Sequence, residues 1–308
     1  MSLYQLFKGK GPSGFGYGST AEEVTAGLSL AGKTILVTGC NSGLGFEAMR
    51  VLSMRGAKVL GTARTLEKAK AACDAVGDQA VPLACELSEP ASVRTCVDAV
   101  IAGGHRLDAV ICNAGIMALP KRELAHGIEL QFFTNHIGHF ILVTGLLDRL
   151  AEDGRVVMLS SAAHTMAPKE GIRFDDLAAA KGYTPWGHYG QSKLANLLFA
   201  KELARRFAGT RKTANAVHPG VIRTKLGRHM PGIARFTFGL VGPLVLKSVP
   251  QGAATEVYVA VHPGVATTSG AYFADANLAT PRADADDPAL AKKLWEVSES
   301  IVAGLPAR

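Results

Sequence analysis

The sequence predicts a single α/β domain built on a doubly wound parallel sheet with helices on both faces. Three observations carry this. Short β-branched apolar runs alternate with helix-length segments along most of the chain; the first run opens into a glycine-rich turn; and neither a Pro/Gly/Ser-rich linker nor a repeat interrupts the series. The chain has 308 residues, 48% hydrophobic and 19% charged. That is enough to bury a large core, and it excludes disorder as a description of the whole.

The elements follow in order. Ser19 and Thr20 each stand three residues before a glutamate, Glu22 and Glu23, a capping-box signature for a short helix over 21–28. Residues 1–30 are therefore expected to be an extension, ahead of a dinucleotide-binding and catalytic domain over 31–308. Thr34 to Thr38 is a compact β-branched run ending at glycine, which reads as a buried strand. The alternation then predicts a helix near 43–55, a strand over 57–62, a helix over 66–76, a strand over 80–84, a helix over 90–102 and a strand over 108–112. A long helix near 122–150, a strand over 155–160, a helix over 187–208, a strand over 213–218, a helix over 251–261 and a strand over 271–273 complete the pattern. Strands separated by helix-length crossovers pair in parallel with right-handed connections. Residues 225–249 break the alternation: this insert carries Phe236, Phe238, Leu240, Leu244 and Leu246, too apolar for a solvated loop, and reads either as a substrate lid or as ordinary core.

Bulk features narrow the classes of function. The glycine-rich stretch Lys8 to Ser19 lacks the continuous apolar run of a secretory signal, and no run of eighteen apolar residues suggests a membrane span. The cysteines, Cys40, Cys73, Cys85, Cys96 and Cys112, are odd in number and widely spaced with no CxxC pair, so a reducing, cytoplasmic setting is expected. The formal charge of +7 includes a basic stretch at Lys201, Arg205, Arg206, Arg211 and Lys212. No stacking aromatics interleave with it, so it reads as a solvated helix face and not a nucleic-acid surface. His136 and His139 lie three apart with no third ligand placed to complete a metal site, and core packing is expected of both.

The turn after the first strand is Gly39-Cys40-Asn41-Ser42-Gly43-Leu44-Gly45. Glycines here let the backbone approach a pyrophosphate, and the free N–H groups of the helix that follows face its charge, as in a Rossmann-type domain. Where an acid at the end of the second strand would bind the ribose 2′-hydroxyl of NAD, this chain has Ala63-Arg64. Arginine suits a 2′-phosphate, which predicts NADP(H) over NAD(H). Farther on, Tyr189 and Lys193 lie four apart on a predicted helix and share one face. A nearby ammonium favours the phenolate, so the pair suits proton transfer.

Six motifs in this order resemble the short-chain dehydrogenase/reductase family over residues 31–275: TGCNSGLG at 38–45, CNAG at 112–115, Asn135 within TNHIGHF, Ser161 within VVMLSSAAH, YGQSK at 189–193 and HPGVIRT at 218–224. The resemblance implies that Tyr189 is the general acid/base, that Lys193 binds the nicotinamide ribose and lowers the Tyr189 pKa, and that Ser161, in preference to Ser160, bonds the substrate oxygen. It assigns Asn135 a water linking Lys193 to solvent. Asn113, Ala114 and Gly115 would line the cofactor, Asn113 also tying strands together. Glu86 and Leu87 would lie beside the adenine, with glutamate in place of the family's usual aspartate. Pro219, Gly220, Val221 and Thr224 would cradle the nicotinamide. The wording NHIGHF, YGQSKLAN and SGAYFADAN is similar to the retinol-dehydrogenase-like branch. Light-dependent protochlorophyllide reductases are similar too, but carry cysteine where this chain has Val221, which argues for carbonyl/alcohol chemistry. The implied partner is a small-molecule alcohol or carbonyl compound, bulky and apolar, and the implied assembly is a homo-oligomer. Two other readings stay open: a binding-only NADP(H) sensor on the same fold, and a membrane-associated retinoid-type enzyme whose 231–247 stretch touches lipid.

Overall fold

The computed structural model describes residues 8–222 and 246–306. Thr224 and residues 225–245 of the expected lid lie outside the described residues.

Along the chain run α1 (Ala21–Val24), β1 (Thr34–Val37), α2 (Gly43–Met54), β2 (Lys58–Ala63), α3 (Leu66–Asp74), β3 (Ala80–Ala84), α4 (Pro90–Ala102) and β4 (Leu107–Cys112). Next come the short strands β5 (Leu124–Ala125) and β6 (Ile128–Glu129), then α5 (Leu130–Phe132), a π-helical turn (Phe133–Ile137) and α6 (Gly138–Gly145). The last elements are β7 (Leu150–Leu159), α7 (Pro185–Arg206), β8 (Thr213–His218), α8 (Val249–Val261), β9 (Tyr272–Ala274), β10 (Asn277–Leu278) and α9 (Pro288–Gly304). The eight-stranded sheet has the order β10-β9-β8-β7-β4-β1-β2-β3. Every neighbouring pair is parallel except β9 with β10. Strand order reverses between β1 and β4, so the crevice beyond their carboxyl ends is where a doubly wound sheet holds its ligand.

Each face of the sheet has its own core. On one, α4, α6, α7 and α9 pack around Phe132, Phe140, Phe199 and Trp295, with Phe199 and Trp295 stacked at 5.4 Å. On the other, α1, α2 and α8 cover β1 through Ala21, Val24, Met49, Leu52, Ala253 and Val257. The N-terminal stretch is part of this second layer: Phe15 packs edge-on against Tyr258 and His262, and Ser13 N–H donates to Asn277.

Several expectations need correction. The long helix near 122–150 begins only at Leu130; before it, Leu124–Glu129 forms a hairpin whose turn residues His126 and Gly127 both have positive φ. A His-Gly pair in the left-handed region is turn chemistry that the apolar pattern conceals. The first helix is α1 alone, not 21–28; Thr20 and Glu23 form the capping box, while Ser19 instead accepts from Gly16 N–H. The seventh strand starts at Leu150 and not at 155. The C-terminal helix α9 was not expected, although Asp287 capping it and Pro288 in its first turn are ordinary start signals. His136 is buried against Ser298 of α9, 2.8 Å away, and burial holds its pKa down to about 3, so it is a neutral core histidine as expected. The basic stretch is paired with Asp286, Glu202 and Glu152, which fits a solvated helix face. Among the described residues, no helix is long and apolar enough to cross a membrane and no cluster of His, Cys, Asp or Glu is arranged to hold a metal.

Candidate active site

The cleft begins at the end of β1. Gly39 and Gly43 have φ of 74° and 63°, the left-handed region that glycine enters without steric cost. A Cβ on Gly45 would lie 2.4 Å from Asn113 Nδ2 and 2.5 Å from the Gly39 carbonyl oxygen. Only glycine lets α2 start this close to β4. Asn113 Nδ2 donates to the Thr38 carbonyl at 2.7 Å, so it does tie the two strand ends together. Asn41 and Ser42 are exposed, Leu44 is half-buried, and Ser42 caps α2 without a side-chain hydrogen bond. The first N–H groups of the twelve-residue α2 thus face the cleft unclaimed, and the space a Cβ would take at Gly43 is empty. This cradle fits a pyrophosphate. Gly45→Ala should therefore cost cofactor affinity about tenfold or more and lower the melting temperature, since a backbone oxygen and a strand-tying amide stand in the way; binding titration with thermal melts checks both.

At the far end, Arg64 is 69% exposed and its Nε lies 3.9 Å from Glu86 Oε2. The other oxygen of Glu86 accepts from the Ser88 hydroxyl at 3.1 Å. Leu87 is buried against Gly138. An arginine this exposed, with one long carboxylate contact, is free to meet an anion.

The third part of the cleft is the start of α7. Gly190 has the short turn Ala162–Met166 pressed against it: a Cβ there would lie 2.5 Å from the Ala163 carbonyl oxygen. That close approach brings Ser161 toward Tyr189, and its side chain acts to lower the phenol pKa. Ser160, the other candidate, turns away and donates to the Lys193 carbonyl at 2.8 Å. Asn135 lies in the π-helical turn, where Oδ1 accepts from Ile116 N–H at 2.8 Å and Nδ2 donates to Ser192 Oγ at 2.9 Å. Ser192 in turn donates to the Tyr189 carbonyl. His139 joins this cluster to the phosphate loop: Nδ1 lies 2.9 Å from the Asn135 carbonyl oxygen and Nε2 2.9 Å from Thr38 Oγ1, while Ala114 N–H donates to that same Oγ1. Gly115 leaves room over the site, since a Cβ there would stand 3.0 Å from Asn135 Oδ1 and 3.4 Å from Lys193 Nζ.

Tyr189 and Lys193 are 8% and 3% exposed. Lys193 Nζ donates to the Leu159 carbonyl at 2.9 Å and lies 5.7 Å from the centre of the Tyr189 ring. Burial drives the lysine pKa down to about 8. Burial also drives the tyrosine up to about 12, with the Ser161 hydrogen bond opposing it. Lys193 is not among the groups that shift the phenol here, since its Nζ donates to the Leu159 carbonyl.

Pro219, Gly220 and Val221 follow β8. His218 Nδ1 accepts from Ala162 N–H and Gly220 N–H, which places the ring proton on Nε2, and burial holds its pKa near 4. His164 and His188 are held by the Ser161 and Thr184 backbones, as structural hydrogen bonds. Three apolar side chains on the segments around the site are exposed: Trp186 on α7, Met166 in the turn after Ser161 and Val221 after β8, at 42%, 57% and 56%. The Trp186 ring stands edge-on to Tyr189 at 6.0 Å. Sequence reasoning missed Gly190, Ser192 and the Thr38–His139 link. The close-packed glycine inside a helix was the available signal for the first; the others required the fold.

Comparison with known proteins places this geometry. A profile described as short chain dehydrogenase matches residues 33–174. The chain is 42% identical over 322 aligned positions to short-chain dehydrogenase TIC 32 A, chloroplastic, of Brassica napus, covering 99% of this chain and 100% of that one. It is 38% identical to retinol dehydrogenase 14 of Mus musculus, covering 88% and 86%. Among solved structures, an uncharacterised protein from Mycobacterium Paratuberculosis superposes with a TM-score of 0.75 at 33% identity, covering 91% and 97%. A short chain dehydrogenase from Burkholderia cenocepacia J2315 in complex with NADP superposes with a TM-score of 0.63 at 25% identity, covering 80% and 96%. The chain belongs to the short-chain dehydrogenase family of nicotinamide-dependent oxidoreductases, in its retinol-dehydrogenase-like branch.

Proposed function

We propose that the protein is an NADP(H)-dependent oxidoreductase that interconverts an aldehyde or ketone with its alcohol on a bulky apolar substrate, Tyr189 moving the proton. One observation carries this reading: Tyr189 and Lys193 are buried one helical turn apart on α7, with Gly190 pressed against the turn that follows Ser161. A bound nicotinamide supplies or accepts the hydride. The chain does the rest. Ser161 orients the substrate oxygen, Tyr189 gives its proton to that oxygen in reduction or takes it back in oxidation, and Lys193 holds a positive charge beside both. A phenol that burial keeps protonated is in the form that gives its proton to a carbonyl oxygen in reduction. NADP(H) as the preferred form is supported by exposed Arg64, by the lack of an acid at the end of β2 and by the NADP complex of the Burkholderia relative. The complete set of Asn135, Ser161, Tyr189 and Lys193 argues for turnover over a binding-only sensor.

The test is direct. Purified protein with NADPH and a panel of aldehydes and ketones should consume the reduced cofactor, faster with bulky apolar carbonyls than with short polar ones. Consumption with none of them, although NADPH binds, sets the reading aside. Exposed Trp186 makes a finer prediction. Trp186→Ala removes a large exposed ring beside the phenol and should raise KM for bulky apolar substrates about tenfold while short aldehydes change little. Equal losses for all substrates would count against a substrate role for Trp186.

A further inference from the structure

The turn that follows Ser161, Ala162–Met166, is a short 3-10 helix. Within it His164 N–H donates to the Ser161 carbonyl at 3.0 Å, and Ala167 N–H donates to the His164 carbonyl at 3.2 Å. Bonds of this kind are poorer in geometry than those of an α-helix, so one turn of them holds a side chain loosely. Here both acceptor oxygens are met a second time. The Ser161 carbonyl oxygen lies 2.6 Å from His164 Nδ1, and the His164 carbonyl oxygen lies 3.4 Å from Arg282 Nη1. The Arg282 guanidinium also spreads over the end of the turn: Nη1 donates to the Ala167 carbonyl at 3.0 Å and Nη2 to the Pro168 carbonyl at 3.1 Å. A forked cation on the carbonyls that end a turn is a strong cap. Arg282 comes from the segment between β10 and α9, 118 residues along the chain from His164.

The His164 ring joins this cap to the serine. Arg282 N–H donates to Nε2 at 3.2 Å, so the ring proton sits on Nδ1 and is donated to the Ser161 carbonyl. The ring is buried and stands edge-on to Tyr272 at 5.2 Å. Asp284 accepts from Arg282 Nε and thereby fixes the plane of the guanidinium. Its other oxygen lies over Gly171, where a Cβ would stand 3.2 Å from Oδ2. We propose that Arg282 and His164 are positioning residues of this site: the segment after β10 grips the backbone of the serine turn and, through the imidazole, holds Ser161 in register with Tyr189. Two other elements take the rest of the turn. His218 after β8 accepts from Ala162 N–H, and Gly190 of α7 lets the helix press on the Ala163 carbonyl. The Ser161 hydroxyl oxygen, in turn, accepts from Ala163 N–H at 3.2 Å, so a shift of this backbone moves the hydroxyl with it. A displacement of about 1 Å in a group that touches the reacting atoms can cost on the order of a hundredfold in rate.

This inference rests on the assignment of Ser161 to the substrate oxygen, and its test is a double-mutant cycle with that serine. Arg282→Met keeps the length of the side chain and removes the fork. With the best carbonyl of the panel, kcat should fall about ten- to a hundredfold, while NADPH affinity stays within about twofold. Arg282→Lys, which can reach one or two of the carbonyls, should recover part of the loss. In a Ser161→Ala background the same Arg282→Met change should cost less than about threefold, because its effect passes through the serine. Equal losses in the two backgrounds overturn the proposal, as does an unchanged kcat. NADPH affinity that falls as far as kcat also overturns it, being the mark of a general packing defect. Two further readouts need no turnover. Amide hydrogen exchange over residues 161–168 should quicken about tenfold or more in Arg282→Met, and unchanged rates overturn the proposal. If Arg282→Met does not fold, neutron diffraction of the unaltered protein decides: a deuteron on His164 Nδ1 and none on Nε2 is expected, and the reverse breaks the line from Arg282 to Ser161. A parent protein that reduces no carbonyl bears on the proposed function, and exchange and diffraction then read the grip on the turn by themselves.

Discussion

Tyr189→Phe is expected to lower kcat for carbonyl reduction by about 10²–10⁴-fold, the usual contribution of a positioned general acid, with NADPH affinity within about threefold of the parent. The substitution removes one hydroxyl from a residue that is 8% exposed and leaves the ring and its contact with Trp186 in place. The Ser161 hydroxyl loses one hydrogen-bond partner and keeps Ala163 N–H as a donor to it, so stability should change by about 1 kcal/mol or less. Steady-state rates, cofactor titration and a thermal melt on one preparation separate these effects. A Phe variant that reduces carbonyls at the parental rate would show that the proton comes from elsewhere.

Arg64→Ala should weaken NADPH binding about ten- to a hundredfold and NADH binding far less. Hydrogen bonds to a charged group contribute about 1.5–3 kcal/mol, and NADH has no 2′-phosphate to lose a partner. Arg64 is 69% exposed, which moves the expectation toward the lower end and makes it sensitive to salt. Glu86, whose oxygen lies 3.9 Å from Arg64 Nε, would then face the phosphate without its cation, and this moves it back up. The ratio of NADPH to NADH dissociation constants at one ionic strength is the informative quantity. A ratio that the substitution leaves untouched removes Arg64 from cofactor choice.

Much of the fold was legible because its strands are buried on both faces. Continuous apolar runs such as Ile35 to Val37 and Ala109 to Cys112, each followed by a helix-length crossover, specify a parallel sheet whatever the loops do. The site was legible where chemistry and backbone coincide: the phosphate loop needs glycines at fixed positions, and Tyr189 and Lys193 share a helix face by spacing alone. What escaped depends on tertiary context. The His126-Gly127 turn sits inside an apolar stretch that reads as helix. The π-helical turn has no sequence period of its own, yet it carries Asn135, whose carbonyl His139 bonds. The Tyr189 and Lys193 pKa values follow from burial and from where Nζ points, and the fold sets both. Glu256 belongs to no motif, and only the fold shows it as a carboxyl enclosed in the core.

The central claim, that Tyr189 protonates a carbonyl while hydride arrives from the nicotinamide, is tested most directly by isotope transfer. Parent protein is supplied with NADPH deuterated at the transferable C4 position and the best aldehyde of the panel, and the alcohol product is examined by mass spectrometry and NMR. The account predicts one deuterium on the carbinol carbon per NADPH oxidised, on a single face of C4, with yield falling by the same 10²–10⁴-fold in Tyr189→Phe. Cofactor that binds but transfers no deuterium to any carbonyl, or transfer that Tyr189→Phe leaves unimpaired, would contradict it.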